Sequence, residues 1–118
     1  MRALQVANIS DEGKPYAELI VSGKKTWEIR NRNTRIRGRI GIVFGDKLVG
    51  TVEIVRTIGP ASPEYLATFP HHMSTLERMR RYAKGRPLYA WVLKNAKKFK
   101  KPIGIKLRYV NKYDWVRL

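Results

Sequence analysis

The pattern of apolar and polar positions changes period several times along the chain. Residues 2–9 alternate loosely, as a half-buried strand does. Ser10-Asp11-Glu12-Gly13 is polar and turn-like. Residues 15–22 place Tyr16, Leu19 and Ile20 at i, i+3 and i+4. That spacing predicts a short amphipathic helix, capped by Ser10 or Asp11 with Pro15 near its first turn. Gly23 stops it where a left-handed residue is needed. Thr26, Trp27 and Ile29 then favour a strand over residues 26–30.

Residues 31–37 form a polar loop carrying Arg32, Arg35 and Arg37. Residues 38–44 predict a strand with Ile40, Ile42 and Phe44 inward, and Gly45-Asp46-Lys47 a hairpin turn. Residues 48–58 alternate again, with Val49, Thr51, Glu53 and Val55 on one face. Residues 59–63 break the sheet, and Ser62 caps a short helix that starts at Pro63 and includes Tyr65 and Leu66. Pro70-His71-His72 is a loop, and Ser74-Thr75 cap a helix over residues 76–83, ended by Lys84-Gly85. Residues 87–94 are a strongly apolar strand, residues 95–101 a very basic turn, and residues 103–110 a further strand. A turn over residues 111–114 leads into a short terminal segment. The sum is an α+β fold, a small mixed β-barrel of five to six strands with flanking short helices. A chain of 118 residues suits one domain spanning residues 1–118, large enough to bury its own core.

Charge changes this picture most. Lys and Arg number 25 against 9 Asp and Glu, a net charge of +16. The excess is uneven: residues 1–74 are net +4 and residues 75–118 net +12. A thermally adapted surface mixes both signs in ion-pair networks. Here acids are too scarce to pair, and a field of this sign attracts polyanions. The expected partner is nucleic acid, RNA before DNA. No run approaches the roughly 20 apolar residues of a membrane span, and the first residues read as a strand, so a cytoplasmic location with no membrane contact is expected.

Several chemistries are excluded or disfavoured. There is no cysteine, hence no disulfide, thiolate zinc site or cysteine nucleophile. No P-loop and no nucleophile elbow appears. His71 and His72 are adjacent and lack a spaced third ligand, so no metal and no cofactor is expected. What remains lies at residues 23–30. On a strand, Thr26, Glu28 and Arg30 share one face and Trp27 and Ile29 the other, with Lys25 at the entrance. Polar groups converging beside a buried aromatic suit a pocket. An exposed strand face with an Arg–Glu pair is the plainer alternative. Lys25 and Glu28 could act as acid and base, or Lys25 and Arg30 could grip phosphate while Glu28 fixes the arginine. Glu53 either faces solvent or serves as a pocket carboxylate. Among the aromatics, Phe99 stands between Lys97, Lys98, Lys100 and Lys101 and is the one expected to be exposed for base stacking.

Pro15-Tyr16-Ala17, Ile20, Gly23, Lys25-Thr26, Glu28 and Arg30, followed by Asn33-Thr34 and Arg37-Gly38, resemble the ASCH domain of the PUA-like superfamily. Its hallmark G-x-K-x-x-E-x-R is met in full. Tyr89-Ala90-Trp91-Val92-Leu93 and Lys101-Pro102-Ile103 are similar to the family's closing strands. The resemblance implies a PUA-like barrel with a cleft beside the hallmark, lined by Lys25, Glu28, Arg30, Asn33, Thr34 and Arg37. It implies RNA binding or processing, or transcriptional coactivation. Some ASCH-like proteins resemble amidohydrolases of acylated cytidine, with the pattern G-x-K-x-x-T-x-R, a catalytic lysine and threonine, and a further glutamate. Here Lys25 matches that lysine, Glu28 stands for the threonine, and no acid lies near Pro70-His71-His72. Other members have been proposed to cut RNA, a task open to Lys25 and Glu28. The leading expectation is therefore an RNA or single-strand binder. Its backbone contacts would come from Arg32, Arg35, Arg39, Lys97, Lys98, Lys100 and Lys101, with Phe99 stacking. A hydrolase using Lys25 and Glu28 is the alternative, and a module for an acidic protein partner is a third.

Overall fold

The computed structural model describes residues 1–106 and 115–118. Among the described residues six strands form one sheet: β1 (Arg2–Gln5), β2 (Trp27–Arg30), β3 (Gly38–Phe44), β4 (Lys47–Ala61), β5 (Leu88–Gly104) and β6 (Trp115–Arg117). Their order is β2-β5-β4-β3-β1-β6; β1 pairs β3 in parallel, and the other described pairs are antiparallel. Three helices accompany them: α1 (Tyr16–Val21), α2 (Pro63–Ala67) and α3 (Leu76–Ala83). A 3₁₀ turn, Pro70–His72, links α2 to α3. None of the described helices is long and apolar enough to cross a membrane.

The expected barrel is corrected to an open mixed sheet. Among the described residues no ladder joins β2 to β6. The backbone on either side of β2 is already bonded elsewhere. Thr26 N–H donates to His71 O (3.1 Å), and Asn31 N–H donates to the Tyr82 hydroxyl (3.1 Å). The segment carrying the 3₁₀ turn and α3 thus lies where a closing strand would have to pair. The β4–β5 ladder slips register at four places, irregularities of the kind that bend a strand.

Two of those strands are longer than the sequence suggests. Gly59-Pro60-Ala61 continues β4, because Ile58 still pairs Ala90 and Ala61 pairs Leu88, with the proline carried in the register slip between them. Residues 95–101 are strand, not turn: Thr51 pairs Lys97 and Gly50 pairs Lys98. Of the strand expected over residues 103–110, Ile103 and Gly104 end β5, and the part beyond residue 106 lies outside the described residues, as does the turn over 111–114.

Period 2 in β5 divides the core. Trp91 and Leu93 face one way, joining Leu4, Val6, Ile40, Ile42, Val52 and Ile54 beneath α1. Leu88, Ala90 and Val92 face the other way, joining Trp27, Leu66, Met79 and Ala83 under α2 and α3. Burial on both faces explains the unbroken apolar run Leu88–Leu93. The helix caps follow the local chemistry. Ser62 Oγ accepts from Tyr65 N–H (3.1 Å) and Thr75 Oγ1 from Arg78 N–H (3.2 Å). Neither Ser10 nor Asp11 caps α1: Pro15 occupies that position, and Ser10 Oγ accepts from Lys14 N–H instead. At Gly50 the backbones come closest. A Cβ there would meet Val21 Cγ1 at 2.8 Å and run into the Lys97 carbonyl, so β4, β5 and α1 pack only around a glycine.

Candidate functional site

Gly23 takes φ +81° after α1 and turns the chain back toward the sheet. Lys25 N–H then donates to Leu19 O (2.9 Å), and Leu93 N–H donates to Thr26 O (2.8 Å). These bonds fix the entry of β2 and aim the Lys25 side chain inward, where the residue is 1% exposed. Its ammonium donates to the backbone carbonyl of His72. It also lies 4.5 Å from the centre of the Tyr16 ring and 3.8 Å from Glu28 Oε1.

Along β2, Glu28 and Arg30 share a face, as alternation requires. The Nε and Nη2 of Arg30 both donate to Glu28 Oε2, at 3.0 and 2.8 Å. Nη2 also donates to Gln5 O (3.2 Å), and the guanidinium lies 5.7 Å from the Trp91 ring centre. Glu28, 5% exposed, therefore divides its carboxylate: Oε2 holds Arg30, and Oε1 is turned toward Lys25. Burial pushes the Lys25 pKa down, from 10.5 to about 8. The Glu28 charge opposes that shift, and Arg30 and Arg78 add to it. Burial, followed by the Lys25 charge, also lowers the pKa of His72. Its Nδ1 accepts from Ser74 N–H (2.8 Å), which requires that nitrogen unprotonated.

Lys25, Glu28 and Arg30 floor a pocket of about 300 Å³. Its wall comes from Val6, Ala7 and Asn8 after β1, from Tyr16, and from Ser74, Arg78, Met79, Arg81 and Tyr82 on and before α3. The plainer reading of residues 23–30 as an exposed face does not hold, since Lys25 and Glu28 are buried and Arg30 nearly so. Sequence reasoning overlooked Tyr16 and the α3 side chains as pocket residues. Arg78, Arg81 and Tyr82 recur at i, i+3 and i+4, a helical face legible in the sequence, but nothing local places that face beside β2. The other expected cleft residues stand apart. Asn33 Oδ1 accepts from Thr34 N–H (2.9 Å), Thr34 Oγ1 accepts from Ile36 N–H (3.2 Å), and Arg37 donates to the carbonyls of Thr34 and Ile36. They shape the β2–β3 loop and do not line the pocket.

The basic surface residues are spread over the sheet. Arg35 is exposed on the β2–β3 loop, and the Arg32 carbonyl accepts from Trp91 Nε1 (3.1 Å). Arg39 donates to Thr51 Oγ1 (2.6 Å), to Asn95 O (3.2 Å) and to Glu53 Oε1 (3.4 Å). Glu53 is thus a surface partner of Arg39 and not a pocket carboxylate. Lys97, Lys100 and Lys101 are exposed on β5, while Lys98 reaches Glu18 on α1. Phe99 is half-buried against Ala3, Val43, Leu48 and Val116, so only part of its ring faces outward. His71 packs at a tilt against Trp27 (centroids 5.0 Å, interplanar 47°) while His72 turns inward. Among the described residues no three of His, Cys, Asp and Glu gather to hold a metal ion.

No curated protein matches the chain by sequence. Crystal structures of an ASCH protein from Zymomonas mobilis superpose on it. The protein itself gives a TM-score of 0.70 at 22% identity, over 87% of this chain and 72% of that one. Two single-substitution variants of it give 0.71 at 21% identity, over 88% of this chain and 73% of theirs, and 0.70 at 22%, over 87% and 74%. At that identity the likeness establishes the fold. The family model of the ASCH domain matches residues 13–103, most of the chain, and the protein belongs to the ASCH domain family.

Proposed function

We propose that this ASCH domain binds RNA or another single-stranded nucleic acid, with one nucleotide entering the pocket floored by Lys25, Glu28 and Arg30. The observation that carries this reading is a lysine buried to 1% exposure and held with a Glu–Arg pair at the base of an open pocket. Burying that charge is costly for folding, and such arrangements cluster at functional sites. Arg35, Arg39, Lys97, Lys100 and Lys101 then supply backbone contacts, and the +16 charge supplies long-range attraction. The test is fluorescence anisotropy of labelled single-stranded RNA across a salt series. The logarithm of affinity should fall linearly with the logarithm of salt, by about 0.7 per phosphate neutralised. Affinity that stays flat from low to high salt would sink the reading.

A second reading rests on the lowered pKa of Lys25. An amine that is partly neutral near pH 8 can serve as base or nucleophile, with Glu28 3.8 Å away to accept or return a proton. The domain would then hydrolyse RNA or an acylated nucleoside. Incubation with single-stranded RNA and with cytidine derivatives decides it: product that appears with the wild type and not with a folded Lys25→Met variant supports catalysis.

A further inference from the structure

The pocket is strongly biased in charge. Lys25, Arg30, Arg78 and Arg81 line it, and Glu28 is the single carboxylate among its lining residues. It also contains a polar atom without a partner. Tyr16 is buried, and its hydroxyl makes no hydrogen bond to any described residue. The ring of Tyr16 is flanked by two cations, Lys25 Nζ at 4.5 Å and the Arg78 guanidinium carbon at 5.1 Å from its centre. A buried hydroxyl with an unmade bond, carried on a ring flanked by two positive charges, suits an incoming anionic oxygen.

The arginines at the rim are available for exchange. Arg78 pairs with Asp11 at 3.3 Å and Arg81 with Glu77 at 3.7 Å. In each pair the acid is largely exposed, and such pairs contribute little. A more highly charged ligand would displace either acid. Ser74 and Asn8 add neutral hydrogen-bonding groups to the wall.

The shape of the floor limits which phosphate can reach it. Lys25 and Glu28 are almost inaccessible, so a ligand group must project down to them. A strand running across the mouth projects only its bases or its end. Of these, only a terminal phosphate carries charge. An internal phosphodiester carries one negative charge, whereas a phosphomonoester carries close to two near neutral pH. Four cations opposed by one carboxylate match the second better.

Resting on the nucleotide reading above, we propose that this pocket recognises a phosphomonoester: the phosphorylated end of a nucleic acid strand, or a free nucleoside monophosphate of the same chemistry. Tyr16 donates its hydroxyl to a phosphate oxygen, Arg78 transfers from Asp11 to the phosphate, and Lys25 supplies a charge from below. Glu28 holds Arg30 in place and keeps the floor from excess repulsion.

The test compares one single-stranded RNA in three forms, 5′-phosphorylated, 3′-phosphorylated and with both ends hydroxyl, by anisotropy at physiological salt. One phosphorylated form is expected to bind at least tenfold tighter than the hydroxyl form. Nucleoside monophosphate added in excess should abolish that advantage, and the corresponding nucleoside should not. Tyr16→Phe and Arg78→Ala should each bring the ratio of phosphorylated to hydroxyl affinity toward one. Arg78 is partly exposed, so that variant reports even where Tyr16→Phe disturbs the core. Equal affinity for all three forms overturns the inference and leaves RNA binding standing. Binding of the monophosphate in the pocket with no affinity for any RNA upholds the inference and overturns the RNA reading.

Discussion

Lys25 carries the clearest consequence at the scale of a residue. Its pKa of about 8 lies below the 10.5 of an unfolded lysine. Between those values the unfolded chain binds more protons at this position than the folded one, so stability rises with pH through that window. Below pH 8 the full penalty of the buried charge is present. The gap corresponds to roughly 3 kcal/mol by pH 10.5. In Lys25→Met this rise should vanish. Glu28 stays paired with Arg30 in that variant, so no buried charge is left uncompensated, and at pH 7 it should be at least as stable as the wild type. Urea unfolding of both proteins at pH 7 and pH 10 measures the difference. A wild type that gains no more than the variant would mean Lys25 is solvated. Glu28 and Arg30 were legible as a pair, because two-residue spacing on a strand fixes their common face, and Lys25 was legible from its place at the entrance of that strand. Tyr16, Ser74 and Arg78 were not, because they arrive from segments whose docking is decided by the core.

Among the elements, the β4–β5 pair holds the most information and was the least legible. Residues 95–101 alternate too weakly to signal a strand, since lysines occupy both of its faces. Lys97 lies opposite Thr51 on one side of the sheet, and Lys98 reaches Glu18 on the other. What extends the strand is pairing with β4, which is a tertiary effect. The short helices were easier, because Ser62, Pro63 and Thr75 are local signals that the structure uses as such. Gly50 is where this pairing is most exposed to substitution. Gly50→Ala would press a methyl group against the Lys97 carbonyl and Val21, and should cost about 2 kcal/mol as an overpacked site. A lowered urea midpoint with an unchanged slope is the expected result. A midpoint equal to the wild type would show that β5 shifts freely at Lys97.

For the whole molecule, what matters is how the fold distributes its charge. The open edge of the sheet at β2 is met by α3, which brings Arg78 and Arg81 to the pocket. The far half of β5 carries Lys97, Lys100 and Lys101 away from it. The strand is continuous between these two places. At one end Trp91 lies beneath Arg30, and at the other stands Lys101. Ten residues of strand cover roughly 30 Å, within the 37 Å longest dimension of the molecule. Under the proposed nucleic-acid reading, strand β5 would work as a ruler. A stacked single strand advances about 3.4 Å per nucleotide, so roughly nine nucleotides separate the pocket from the last lysines. Shorter oligonucleotides would reach one place or the other, and longer ones both. Plotted against oligonucleotide length, affinity and its salt slope should step upward together near that length if the proposed nucleic-acid binding holds, and the length of one strand would then be the footprint of the protein.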